Sequence, residues 1–377
     1  MRKSTTCQLF AMAILAICVP AGQLLAAESE PFFEMQELFE SVRIPKIVVA
    51  KDGTVLAFAN SCRLLRRSED GGETWSPVQE LPKKASGNAI VDRTTGDVMI
   101  VSGRGSLWRS KDHGKTWKKE DIVIKANELG HGTPDGLTVG TGASESGITL
   151  QHGEYKGRLL MPCRIQPPKG NNAQEYWPFN YNTAIYSDDH GKTWQVSRPV
   201  QSGTGEGTLA EVSTGSVYYN SRSHMSVDHR RRIAWSHNGG EMWVDWRVSE
   251  TLREVGEPFY FKYGTKPSYG CNAGLVRMPL EATDGKDVLL FSTPDNPGGG
   301  RVKMTVWASF DRGKSWPVKR LVYEGPSAYS SLSADREGNI YLLFERGEKK
   351  LYEKISVARF NLSWLTRGEG VPSGSAR

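Results

Sequence analysis

Cysteine, serine and glycine are the residues whose spacing most directly marks chemistry, and here they mark little. Beyond the first 27 residues the cysteines are Cys62, Cys163 and Cys271. They are too far apart for the C-x-x-C spacing of a zinc or redox site and odd in number for a disulfide framework. No G-x-S-x-G elbow presents a serine nucleophile, and no glycine-rich loop opens a helix to cradle phosphate. The run His229 to Arg232, "HRRR", stands next to a strand-like segment, where such residues ordinarily form a solvated edge. No metal and no cofactor is expected.

The elements that would position such side chains show in a repeat. "SEDGGETW" at Ser68–Trp75 returns as "SKDHGKTW" at Ser110–Trp117 and "SDDHGKTW" at Ser187–Trp194, with looser copies "SHNGGEMW" at Ser236–Trp243 and "SFDRGKSW" at Ser309–Trp316. Short β-branched runs flank the copies, so each sits at a turn between strands. In such a turn the Asp accepts backbone N–H groups, the Gly takes a positive φ, and the Trp wedges against a neighbouring sheet. The shorter intervals between copies are the ~40–50 residues of one propeller blade, and the longer ones a blade with an insertion. Helical periodicity is scarce and no linker divides the chain. The expected fold is all-β, a single six-bladed β-propeller over residues 28–365, with 366–377 as a flexible tail.

Composition agrees with a globular β protein: 377 residues, 38% hydrophobic and 24% charged. The opening "MRKSTTCQLFAMAILAICVPAGQLLAA" puts Arg2 and Lys3 before an apolar run and small residues at Ala26 and Ala27, the layout of a secretory signal over residues 1–27. The expected location is therefore secreted or periplasmic, with no membrane span in the mature chain. The formal charge of +6 falls by the two charges of Arg2 and Lys3 on processing, which is too mild to imply nucleic acid.

The repeated box, together with "VRIP" at Val42–Pro45, resembles the sialidases (neuraminidases), six-bladed propellers whose Asp boxes lie on the periphery away from the active site. The resemblance covers nearly the whole mature chain, from Arg43 to about Arg346. It implies a substrate with a carboxylate on its anomeric carbon, for which three arginines are suited because the planar fork pairs both carboxylate oxygens. By that resemblance the triad is Arg43 in "VRIP", Arg222 in "YYNSRSH" and Arg301 in "GGGRVKMTVWASFDRGKSW".

A carboxylate nucleophile would meet a like charge on this substrate, and sialidases use tyrosine instead. "GPSAYSSLSADREGNIYLLFE" resembles the family's tyrosine segment and makes Tyr329 the nucleophile. A phenol of pKa near 10 needs a base. Glu206 and Glu211 in "GEGTLAEVSTGSVYYNSR" compete for that role; the family pattern selects Glu206 and leaves Glu211 structural. Glu345 in "LLFERG" matches the acid that holds the first arginine. Taken alone, each of these is an ordinary core or surface residue.

One family feature is absent. The loop that should carry an acid for the leaving group reads "FANSCRLL", with Asn60, Ser61 and Cys62 and no carboxylate. Asp52 belongs to the turn "KDGT" and Asp70 to a box. Asp135 in "HGTPDGL" and Glu145 in "GASESGITL" lie in segments able to reach a pocket mouth, and Asn180 and Tyr181 in segments able to face the glycerol side of a sugar. The resemblance thus implies an exported retaining exo-sialidase acting on sialylated glycans. Two alternatives stay open: a non-catalytic propeller that binds sialic or a related ulosonic acid, and a hydrolase of another 2-keto sugar acid such as Kdn or Kdo.

Overall fold

The computed structural model describes residues 30–367, apart from 83–84, 133–136, 143, 167–179, 226–227, 257–258, 261–266, 269 and 298, and describes only the backbone at 259–260 and 267–268. The proposed leader and most of the proposed tail therefore fall outside the described residues, as does Asp135. Within them nearly all of the regular structure is strand, beside a 3-10 turn at Leu280–Thr283 and a short helix at Leu362–Thr366 that carries the chain one residue into the tail assigned from sequence. No helix among them is long and apolar enough to cross a membrane.

The innermost strands are covered on both faces. Lys46–Val49, Asn88–Val91 and Thr204–Glu211 are buried at every position. The innermost strands Lys46–Val49, Asn88–Val91, Ile148–Thr149, Thr204–Glu211, Gly274–Arg277 and Val318–Ala334 touch one another in that order, and the last returns to the first. From each, antiparallel pairing runs outward, so we number six blades in chain order. The first half of Val318–Ala334 is the outer strand of blade five, pairing with Val302–Ser309, and its second half is the inner strand of blade six. The ring is closed by the start of the chain: Phe33–Glu40 pairs with Lys354–Phe360 as the outermost strand of blade six.

Each box is a turn of repeated geometry after the third strand of its blade. In the second box the Ser110 hydroxyl accepts Gly114 N at 2.8 Å and donates to Asp112 at 2.7 Å, while Asp112 accepts Thr116 N at 2.9 Å. The fifth box residue is a glycine in all copies with φ between 85° and 88°, as at Gly72, Gly114, Gly191, Gly240 and Gly313, a conformation that only glycine adopts without strain. The fourth residue is also left-handed, which turns its carbonyl toward the preceding blade. There it accepts an arginine: Arg359 to Gly71 O at 3.0 Å, Arg67 to His113 O at 2.8 Å, Arg109 to His190 O at 2.9 Å and Arg158 to Gly239 O at 3.3 Å. The boxes thus tie blade to blade as well as closing their own turns.

Asp112→Ala removes the bonds that its carboxylate accepts from Ser110 Oγ, Thr116 N and Thr116 Oγ1. It is expected to lower stability by roughly 1–3 kcal/mol and to leave KM of the folded fraction unchanged. Thermal melting together with KM on one substrate checks this; a large KM change at unaltered melting temperature would put the box in the site.

Candidate active site

The residues named from sequence meet at the end of the ring opposite the boxes. Arg43 stands in the loop leading into the inner strand of blade one, and Arg301 immediately precedes a strand of blade five. Glu206 and Arg222 lie on paired strands of blade four, Tyr329 on the inner strand of blade six and Glu345 on the strand beside it. Strict alternation would not aim Glu206 and Tyr329 at each other, and both sit where it breaks. Register shifts occur between Thr204 and Gly207 and between Ser327 and Ser330. Such irregularities re-aim a side chain.

The Tyr329 hydroxyl donates to Glu206 Oε1 at 2.7 Å, and Arg222 Nη1 donates to the same hydroxyl at 3.2 Å while also pairing with Glu206 Oε2. The Arg43 guanidinium lies 5.0 Å from the centre of the Tyr329 ring and that of Arg301 5.7 Å from it. Three cations therefore surround one phenol. Glu345, fully buried, accepts Arg43 Nε at 3.2 Å, Ile44 N at 2.9 Å and Tyr329 N at 3.0 Å. One carboxylate thus fixes the first arginine and the tyrosine backbone together across blades one and six.

Charge assigns the protons. Burial alone would raise the Glu206 carboxyl, but Arg222, His224 and Arg164 outweigh it and hold the group well below the usual carboxylate range. Tyr329 moves the other way, pushed above an ordinary phenol by burial and then by the Glu206 charge. At neutral pH the pair is a phenol donating to a carboxylate, the arrangement in which a base can take the proton as the oxygen attacks.

His224, Arg164 and Tyr352 are members that sequence reasoning did not name. His224 Nε2 lies 3.6 Å from Glu206 Oε2, and burial lowers its pKa to about 4. Tyr352 joins two arginines, lying 4.0 Å beneath the Arg43 guanidinium and accepting Arg301 Nη1 at 3.1 Å. None carries a local pattern, since each is recognisable only by a neighbour far away in sequence.

The His224 shift has a stability consequence. The unfolded chain protonates this imidazole near pH 6.5 and the folded chain only near 4, so stability is lost as pH falls through that window. The full loss is on the order of 3 kcal/mol. His224→Asn is expected to flatten the melting temperature between pH 7 and 4; an unchanged slope would remove the assignment.

The leaving-group side differs from the family pattern. Asn60, Ser61 and Cys62 form a tight left-handed turn with φ of 54°, 52° and 67°, and Cys62 points into the core. Ser61 faces a cavity of about 230 Å³ lined also by Ile44, Ser144, Arg164, Gln166 and Glu206. Among the described residues lining it, Glu206 is the sole carboxylate. Glu145, expected from sequence to be able to reach a pocket mouth, does not reach this one. It is almost fully buried toward the opposite end of the ring, accepts Ser331 Oγ at 2.5 Å, and burial raises it to about 7 against the pull of Lys46. Glu211 accepts Gln151 N at 2.6 Å and His152 N at 3.0 Å, a structural carboxylate. The Tyr181 hydroxyl is taken up by Asn127 and His131 at 3.0 and 2.8 Å, and Asn180 beside it is buried. No group of three or more His, Cys, Asp or Glu able to hold a metal occurs among the described residues.

Residues 102–342 match the family model described as a BNR repeat-like domain. The chain is 29% identical to a sialidase of Micromonospora viridifaciens over 92% of its own length and 55% of the relative. It is 30% identical to Sialidase-2 of Cricetulus griseus over 67% of its length and 63% of the relative. The chain thus spans little more than half of the Micromonospora protein. Among solved structures, a Hadza microbial sialidase superposes with a TM-score of 0.66 at 24% identity, covering 86% of this chain and 66% of that one. A leech intramolecular trans-sialidase superposes with a TM-score of 0.65 at 15% identity, covering 89% and 71%. At these identities the structural likeness concerns the β-propeller fold alone.

Proposed function

Because this chain belongs to the BNR repeat-like family, to which its resemblance to the sialidases pointed, we propose that it is an exported retaining exo-sialidase that removes terminal sialic acid from glycans. The observation that carries the reading is the 2.7 Å hydrogen bond from Tyr329 to Glu206 inside a ring of three arginines. A module that only bound the sugar would need the arginines and not a buried phenol paired with an ionised base. Export rests on the leader-like residues 1–27.

In this reading Arg43, Arg222 and Arg301 clamp the substrate carboxylate. Tyr329 Oη attacks the anomeric carbon and passes its proton to Glu206. The bond to the leaving-group oxygen breaks with its electron pair, and that oxygen takes a proton from water. Water then opens the tyrosyl–sugar bond, giving its proton to the hydroxide left by the first step, and Glu206 returns its own proton to the phenolate. Positive charge around the phenol favours the step twice, by binding the carboxylate and by stabilising the phenolate as leaving group.

The neutral turn at Asn60–Cys62 favours a second feature, low activity where the leaving group is poor, since general acid help is typically worth ~10²–10⁴-fold. Turnover of an aryl sialoside should therefore exceed that of sialyl-lactose by at least two orders of magnitude. Turnover of neither substrate, with saturable binding of free sialic acid retained, would establish the binding-module reading instead. Faster turnover of a Kdn or Kdo glycoside would reassign the sugar and leave the chemistry unchanged.

A further inference from the structure

Five of the six inner strands run out at the lower face, the end opposite Tyr329, into a basic residue: Lys51, Arg93, His152, Arg277 and Arg336. All five line a single cavity of about 360 Å³. The carboxylates there are mostly committed elsewhere. Asp52 caps its own turn at Thr54, Asp335 accepts Asn339 and Tyr341, Glu211 accepts two backbone amides, and Glu145 accepts Ser331. Glu281 and Glu337 remain, and Arg277 feels the charges of Asp287, Glu211 and Glu281 through space without pairing with any of them.

Among the described residues none of Arg93, Arg277 and Arg336 forms an ion pair with a carboxylate. Arg93 donates one long bond, Nη1 to Ala50 O at 3.4 Å, and its pKa is lowered by burial and then by the charge of Arg336. Arg277 donates Nη2 to His152 Nε2 at 3.1 Å, while its Nη1 is buried without a hydrogen-bond partner. Arg93 and the exposed Arg336 are like charges lining one cavity, and Arg277 adds a buried donor without a partner, so an anion among them is favoured. Guanidinium forks match the oxygens of phosphate and sulfate.

We propose that this lower cavity binds a tetrahedral oxyanion, phosphate or sulfate, gripped between Arg93 and Arg336 with Arg277 as the third cation. The cavity volume lies within the range of small-ligand sites, so it has room for the anion carried on a monosaccharide as well as the free ion. The site is separate from the arginine triad and independent of the reaction assigned there.

Calorimetric titration of the full chain at fixed ionic strength tests this, with inorganic phosphate in one arm and N-acetylglucosamine 6-sulfate in the other. Saturable binding is expected, weakened at least ten-fold by Arg93→Gln with Arg336→Gln and unchanged by Arg301→Ala in the upper site. Tighter binding of the sugar sulfate identifies a sulfated glycan as the source, and tighter binding of phosphate the free ion. In chloride alone Arg336→Gln should melt no lower than the parent, since it relieves a repulsion, so the loss of binding is read on a folded protein. Arg277→Gln measured singly gives a second readout and should also weaken binding. No saturable binding in either arm, binding indifferent to the paired variant, or binding lost in Arg301→Ala would overturn the proposal.

Discussion

Tyr329→Phe should fold and bind sialic acid as the parent does, yet lose turnover by roughly 10³-fold or more, the scale set by removing a nucleophile from an intact site. The substitution deletes one oxygen and keeps a ring packed between Arg43 and Arg301. Glu206 stays paired to Arg222, so its charge remains compensated. Arg301→Ala should behave differently. It removes a charge-assisted contact worth roughly 1.5–3 kcal/mol, and so raises KM by one to two orders of magnitude. A fluorosialyl mechanism-based inhibitor should label the peptide holding Tyr329. Parent-like activity in the Phe variant, or a label elsewhere, would take the tyrosine out of the reaction and with it most of the case for an enzyme.

The same pair sets the acid side of the pH profile. Glu206 is held well below the usual carboxylate range, so it stays ionised, and able to accept the phenolic proton, as pH falls toward 5. A loss of kcat/KM centred at or above an ordinary carboxylate value would mean that another group acts as the base.

The box was legible in the sequence because a turn is a local object: serine, aspartate and glycine at fixed offsets meet whatever the rest of the chain does. Arg43, Arg222, Arg301, Glu206, Tyr329 and Glu345 were legible only through motifs resembling a known family, and the structure brings all six together. What the boxes do between blades was not legible. Arg359 reaches Gly71 O across 288 positions, and no local pattern marks such a pair. The long strand Val318–Ala334 hid a blade boundary for a related reason, since two blades share one uninterrupted extended run. Glu145 misled because its segment, a loop as its sequence suggests, turns inward into contact with Ser331 and not out to a pocket mouth.

Glu254 is the residue for which sequence offered no role and the structure predicts a large one. It is almost fully buried and pairs with Arg231, itself fully buried, at 3.0 and 3.2 Å. Its oxygens also accept Ser223 N at 3.0 Å and Cys271 N at 3.3 Å. Ser223 adjoins Arg222, and Cys271 adjoins Gly270, whose carbonyl accepts Arg301 Nη2 at 3.0 Å. One carboxylate therefore holds the backbone beneath two of the three arginines. Glu254→Ala strands the Arg231 charge in the core, which typically costs about 3–5 kcal/mol. For a chain of this size that corresponds to a fall in Tm of roughly 5 °C. Arg231→Met added to Glu254→Leu removes both charges, and should recover at least half of that fall because apolar replacement of a buried pair is often neutral. KM should stay raised in the double variant, since Ser223 N and Cys271 N still lack their acceptor and the arginines above them are no longer fixed. Recovery of Tm together with a parent KM would show that the pair serves the fold alone, and a single variant melting within 2 °C of the parent would show that Glu254 matters to neither.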